Sequence, residues 1–251
     1  MKSPLRYPGG KNRAAKHILP FFPQKIEQIV SPFFGGGSIE IKMAESGKKV
    51  YGYDLFEPLV AFWNAVKNNQ SELIDKCKQI QSQMDGENFK KLQSYLRNNN
   101  TTDKLDIASV YFSLNRSSFS GTVLSGGYSP SHPRFNLSSI ERISEVDMTN
   151  ISVEHLGFVD SINLNPDKFL YCDPPYLLKN SNLYGNTGDL HKDFDHIKLK
   201  ELLTSRKNWL LSYNDCGEIR EMYHGYEIVS PRWKYGMSSD KDSKEVLIIN
   251  Y

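Results

Sequence analysis

Ile29-Val30-Ser31-Pro32-Phe33-Phe34-Gly35-Gly36-Gly37-Ser38-Ile39-Glu40 is the stretch that decides how this chain folds. A β-branched pair runs into three glycines, and a hydroxyl residue follows where a helix cap belongs. The pattern predicts a strand, a tight turn and a helix over residues 39–45 with Ser38 as its cap. Gly47 then ends the helix, residues 49–53 read as a second strand, and Asp54 stands just beyond that strand's carboxyl end. A glycine turn followed by an acid one strand over suits a nucleotide. The glycines admit a ligand against the backbone, and the carboxylate accepts from ribose hydroxyls, although such a turn also serves purely structural ends. The spacing is not G-x-G-x-x-G and no P-loop sequence is present, which disfavours a dinucleotide fold.

Working outward, further apolar runs at 151–155, 169–172, 209–213, 226–229 and 246–250 alternate with segments of helical period, the pattern of an α/β sheet with covering helices. Between Asn68 and Ser113 the sequence is polar and helix-forming without a strand candidate. It breaks at Asp85-Gly86 and at Asn98-Asn99-Asn100-Thr101-Thr102. This predicts a main domain of residues 1–67 and 138–251 and an inserted, mainly helical subdomain of residues 68–137. Asn115 to Asn136 is rich in Ser, Gly and Pro, too long for an idle connection, and is expected to bind something.

With 251 residues the chain buries a full core without staples. Its three cysteines, Cys77, Cys172 and Cys216, are widely spaced and suit a reducing cytoplasm, and neither a structural zinc site nor any other metal is expected. The amino-terminal residues lack a signal-peptide core and no run is long and apolar enough to span a membrane, so a cytoplasmic protein is expected. A net charge of +2 does not by itself announce a polyanion partner. Its distribution is more telling, with basic residues at Arg6, Lys11, Arg13 and Lys16, at Arg116 and Arg134, and at Arg232, Lys234, Lys241 and Lys244, often beside aromatics.

The most informative tetrapeptide is Asp173-Pro174-Pro175-Tyr176, directly after the apolar run Phe169-Leu170-Tyr171-Cys172. The carboxyl edge of an open α/β sheet is where ligands bind, and two prolines fix the backbone so that the carboxylate and nearby carbonyls keep one orientation. A planar base with an exocyclic amine would donate to Asp173 and to the Pro174 carbonyl, with the Tyr176 ring available for stacking. Near the amino terminus, Tyr7-Pro8-Gly9-Gly10-Lys11 offers a ring, two glycines and a cation before a helix. That suits a ligand with a carboxylate and a flat face, and equally a capped surface helix.

In this order the elements resemble the Dam-like, class α family of DNA adenine N6-methyltransferases. The resemblance runs over nearly the whole chain: aromatic-Gly-Gly-Lys, P-F-x-G-x-G-S, an acidic strand end, an inserted region, D-P-P-Y. Leu114-Asn115-Arg116 with Phe119-Ser120-Gly121 is similar to the family's N-R-x-x-[FY]-N-G segment. Ser212-Tyr213-Asn214-Asp215 is similar to its S-N-x-D, and Lys244-Glu245-Val246-Leu247-Ile248 to its closing hairpin. The fold implied is the Rossmann-like S-adenosylmethionine-dependent methyltransferase fold, with a mixed, mostly parallel seven-stranded sheet. Residues 1–67 and 138–251 would be catalytic and 68–137 would recognise the target.

The resemblance implies S-adenosyl-L-methionine as donor, S-adenosyl-L-homocysteine as product and no metal. Tyr7, Gly10 and Lys11, the turn through Phe33, Gly35, Gly37 and Ser38, and Asp54 at the ribose would bind the donor, with Asp160 facing its adenine. Asp173 would lie between donor and target amine, backed by Pro174, Pro175 and Tyr176. Arg116, Phe119, Ser120, Arg134 and Lys234 would contact duplex DNA, with Lys11 a further phosphate contact. The mechanism implied is extrusion of an adenine into a pocket and in-line transfer to N6. A monomer, at most weakly dimeric, with or without a cognate restriction endonuclease, is expected.

Departures from the family pattern set further expectations. Ser31 stands where an acid commonly precedes Pro-Phe, so the contact to the donor's amino group is either missing or supplied from elsewhere. Ser120 replaces Asn, Leu124 falls near an Arg of relatives that read GATC, and Ser129-Pro130-Ser131-His132-Pro133-Arg134-Phe135-Asn136 replaces F-N-V-P, so GATC is not the expected target. N4-cytosine methylation, methylation of RNA or protein, and a catalytically silent DNA-binding relative are the competing readings.

Overall fold

The computed structural model describes residues 2–98, 102–130, 134–177, 194–231 and 245–251. The basic group from Arg232 to Lys244, Lys234 included, lies outside these residues, as do Ser131, His132 and Pro133.

A short helix α1 (Ala15–Ile18) leads to strand β1 (Gln28–Ser31), the glycine turn and α2 (Ser38–Glu45). The cap of α2 is Gly37, in a left-handed conformation with φ 64°, and Ser38 is the first helical residue rather than the expected cap. The backbone must reverse sharply between strand and helix, and glycine takes positive φ without a Cβ clash. Strand β2 (Lys49–Asp54) includes Asp54 as its last residue.

Next come α3 (Glu57–Asn68), α4 (Gln70–Ser82), α5 (Gly86–Arg97) and α6 (Lys104–Ser117). A helix starts within the first break read in the sequence and just after the second, of which residues 99–101 lie outside the described residues. Asp85 accepts from the Asn88 amide, and Asp103 from the amides of Leu105 and Asp106. The helical character of this segment is as expected, but its core is continuous with that of the sheet: Phe62 of α3 stacks on Phe112 of α6 with ring centroids 5.4 Å apart. α6 also runs on to Ser117, so Asn115 and Arg116 belong to a helix and the loop starts later than predicted.

The chain closes with α7 (Leu137–Glu141), β3 (Ile151–His155), α8 (Phe158–Leu164), β4 (Phe169–Cys172), α9 (His196–Thr204), β5 (Trp209–Asn214), α10 (Gly217–Met222), β6 (Glu227–Val229) and β7 (Glu245–Asn250). The seven strands order as β3-β2-β1-β4-β5-β7-β6, all parallel except β7, which runs antiparallel to both β5 and β6. This is the mixed, mostly parallel seven-stranded sheet that the resemblance implied.

Neighbouring residues on the central strands serve opposite faces, as the period of two demands. Ile29, Phe169 and Tyr171 join the core beneath α2, α3 and α6, while Val30, Leu170 and Cys172 join the one beneath α9 and α10. Covering both faces is why β4 is apolar throughout. The chain leaves β1 toward β2 on one side and meets β4 on the other, so the strand order reverses between them. A crevice opens there at the carboxyl ends.

Candidate functional site

At that reversal lies a cavity of about 630 Å³, within the usual range for small-molecule sites. Its walls include the expected donor-side residues Tyr7, Gly10, Lys11, Phe33, Gly35, Gly37, Ser38 and Asp54, together with all of Asp173, Pro174, Pro175 and Tyr176.

The glycine turn is fixed from both sides. The Asp54 carboxylate accepts the Gly35 amide and the Phe56 amide, each at 2.9 Å, and Trp63 donates its indole N–H to the Gly35 carbonyl at 3.0 Å. Burial raises the Asp54 pKa, partly opposed by these two amides and one more from Leu55. The glycines make room for protein as well as ligand. A Cβ on Gly35 would lie 2.9 Å, and one on Gly36 2.8 Å, from atoms of Tyr7, so the turn is the seat of the Tyr7 side chain.

The corner after β4 is braced by side chains. Asp173 Oδ1 pairs with Lys11 Nζ at 2.9 Å and accepts the Tyr176 hydroxyl at 3.3 Å. Asn214, at the end of β5, accepts the Leu177 amide and donates to its carbonyl, both at 3.0 Å, clasping the chain just past the prolines. Lys11 is 3% exposed and also donates to the Gly9 carbonyl, with Glu245 of β7 3.7 Å away. A lysine so enclosed cannot serve as the phosphate contact expected of it. Its ammonium lies 4.9 Å from the centre of the Tyr176 ring, which also stacks on Tyr213.

Asp160 departs from its expected place. It sits exposed in the first turn of α8 and is not among the cavity's lining residues, because that helix turns Phe158 inward instead. Phe33, Phe158 and Phe194 pack with centroids 5.1–5.6 Å apart and form an aromatic wall. None of this trio except Phe33 stood out in the sequence, since a lone Phe at a helix start carries no signal. Glu40 carried no signal of its own, and Asn214 and Glu245 were quoted only inside segments that carry the family resemblance, with no role in the site assigned to them.

The profile of the D12 class N6 adenine-specific DNA methyltransferases matches residues 7–237. The chain belongs to this family. Among curated relatives it is 26% identical to the type II methyltransferase M.FokI of Planomicrobium okeanokoites over all of this chain, which spans 43% of that protein. It is 23% identical to the type II methyltransferase M.CviBI of Paramecium bursaria Chlorella virus NC1A, over 90% of this chain and 88% of the relative. It is 22% identical to the DNA adenine methylase of Haemophilus influenzae, over 96% and 89%.

The methyltransferase carries its remaining candidate residues on the loop after α6. Gly121, Thr122 and Val123 reach the cavity wall. Phe119, 70% exposed, and Ser120 stand outside it, Ser120 with φ 55°. The left-handed region favours Asn over Ser, which gives the Asn-to-Ser departure at this position a physical cost.

Arg116 is not the free phosphate ligand expected. Its guanidinium donates to the Arg134 carbonyl at 2.8 and 3.0 Å and to the Pro4 carbonyl at 3.3 Å. Burial, with Arg6, Arg142 and Arg134 nearby, lowers its pKa to about 10. Arg134 itself is exposed. Leu124 is 2% exposed, so the position near which GATC readers carry Arg is part of the core here.

No helix among the described residues is long and apolar enough to cross a membrane.

Proposed function

We propose that this enzyme transfers a methyl group from S-adenosyl-L-methionine to N6 of an adenine flipped out of duplex DNA. The observation that carries the reading is that the Asp173 corner and the glycine turn with Asp54 open into one cavity. Donor and acceptor therefore have neighbouring places. When bound, the donor supplies a methyl group already activated by its sulfonium charge.

The aromatic wall of Phe33, Phe158 and Phe194 suits the donor's adenine, and Asp54, at the end of β2, suits its ribose. Tyr7, Gly10 and the segment through Gly35, Gly37 and Ser38 enclose the rest. Asp173 and the Pro174 carbonyl accept from the target amine and turn its lone pair toward the methyl carbon, while Pro175 keeps the corner rigid. The positive charge that develops on nitrogen falls beside the Asp173 carboxylate, which helps relay to water the proton that the methylated amine loses. Tyr176 offers its ring to the extruded base, and entry of that base moves Lys11 from the ring. Extrusion costs a few kcal/mol, offset by stacking and by these hydrogen bonds.

On the DNA side, the exposed Phe119 and Ser120 approach the space the base leaves. Arg134 and Lys234 neutralise phosphates, and residues 68–137 read the target. Product S-adenosyl-L-homocysteine, action as a monomer in the cytoplasm, and pairing with a restriction endonuclease belong to the same proposal.

The test is transfer of labelled methyl to duplex oligonucleotides followed by nucleoside analysis. N6-methyladenine is expected; N4-methylcytosine, or label in RNA or protein alone, contradicts the proposal.

A further inference from the structure

Glu40 lies in the first turn of α2 with its side chain 3% exposed, yet it is part of the cavity wall. Its carboxyl group accepts the Ser31 hydroxyl at 2.7 Å and curls back to the Ile39 amide at 3.1 Å. Ser31 is the last residue of β1. The carboxyl thus occupies the space just beyond that strand's end, the place from which an acid at position 31 would have acted.

Asp173 repels this carboxyl group, and no cation among the described residues stabilises it. Lys11, the nearby ammonium on the wall, is engaged by Asp173 and Glu245. Taking a carboxylate out of water is strongly unfavourable unless a charge answers it, and burial raises this one's pKa to about 7. Three neutral donors, the Ser31 hydroxyl and the Ile39 and Glu40 amides, do not meet that cost. A fold that keeps such an acid on a ligand cavity has a cationic ligand group to receive.

We infer that Glu40, presented from the helix and steered by Ser31, binds the α-ammonium of the methyl donor's amino-acid portion. The inference rests on the donor assigned above. It goes beyond it in naming a contact that the sequence left without a residue, and in explaining why Ser31 is tolerated: its hydroxyl aims the replacement carboxylate.

Calorimetric titration with S-adenosylhomocysteine and with its analogue bearing hydrogen in place of the α-amino group separates the possibilities. A buried charge-assisted contact is worth roughly a 10- to 100-fold change in Kd. The wild-type protein is expected to favour the amino compound by about that factor. Glu40→Gln should weaken the amino compound to within about 3-fold of the analogue, which it binds as the wild type does. Adding Ser31→Asp to Glu40→Gln should restore the preference by returning the charge to the strand end.

A Glu40→Gln protein that keeps the wild-type preference overturns the inference and leaves the donor assignment standing. A wild-type protein that binds neither compound removes both.

Thermal unfolding without ligand gives a second readout. The folded pKa lies above the usual carboxylate value, so the wild type loses stability as pH rises from about 4.5 to 7. The other titratable groups on this wall, Asp173, Lys11, Glu245, Asp54, Asp195 and the cavity's tyrosines, are common to both proteins. Glu40→Gln should therefore be the more stable protein at pH 8, with the gap closing toward pH 5. A variant less stable than wild type at every pH would make Glu40 a structural strut for Ser31 and overturn the inference.

Discussion

The corner at the end of β4 and the loop after α6 are two walls of one cavity, both clasped by side chains but unlike in backbone strain. At the corner, side chains do the holding: Lys11 on Asp173, Tyr176 on Asp173, and Asn214 on both sides of Leu177. The backbone there contains two prolines and no residue with positive φ. In the loop, Ser120, Gly121 and Val123 all take positive φ, at 55°, 79° and 48°. Such geometry in a β-branched residue persists only where surroundings over-determine it. Those surroundings are Gln93, which donates to the Val123 and Gly126 carbonyls, and the buried Asn115, which ties Gly121 to Arg6. The difference teaches where precision is needed. The chemistry proposed for the corner would tolerate little displacement, and polar clasps hold that corner, whereas the loop stores strain at the wall of the same cavity.

The largest expected effect tests the corner. Asp173→Ala should lower single-turnover methyl transfer by about 1,000-fold, with donor affinity changing by less than about 5-fold. Glu245 remains 3.7 Å from Lys11 and keeps that ammonium paired in the variant. Equal turnover in variant and wild type would remove the corner from the chemistry.

The loop should instead break through its backbone. A Cβ on Gly121 would lie 2.0 Å from the Arg6 carbonyl oxygen, at a φ that already excludes most residues. Gly121→Ala should cost about 3 kcal/mol and lower Tm by roughly 6–12 °C. Gly127→Ala, with nothing within 4 Å, should leave Tm unchanged in the same melt.

Arg116 and Arg134 sharpen the contrast further. Arg116→Ala should lower stability by about 1–2 kcal/mol because it frees the Pro4 and Arg134 carbonyls. Arg134→Ala should leave the melt unaltered and reduce the slope of log affinity for DNA against log salt by about 1. The reverse assignment of these two phenotypes would show the arginines misread. The smallest effect belongs to Ser120→Asn, expected to raise stability by about 0.5 kcal/mol in denaturant titration, since Asn accepts the left-handed conformation more readily.

Much of the architecture follows from local pattern. The runs at Ile29, Lys49, Ile151, Phe169, Trp209, Tyr226 and Val246 mark all seven strands because burial on one or both faces leaves a period that the sequence displays. Asp173 to Tyr176 and Gly35 to Gly37 were visible because prolines and glycines restrict backbone in ways a reader can name. Capping was less legible: Ser38 and Gly37 exchange roles by one residue, since the sharpness of the turn, not side-chain preference, chose the cap.

What the tertiary structure alone decided is who meets whom across long sequence separations. Arg116 was read as a DNA contact, and only packing shows three of its five N–H donors engaged by Pro4 and Arg134. Asp160 was read as a ligand because it follows a strand, and the pitch of α8 turns it to solvent and Phe158 inward. Glu40 carried no signal, as an acid in a first helical turn is commonplace. Its meaning comes from the Ser31 hydroxyl 2.7 Å away, brought there by a turn of six residues. Sequence determines backbone periodicity and rigid corners, which are local; the burial of a charge and the partner it finds depend on the whole packed chain, and only the fold decides them.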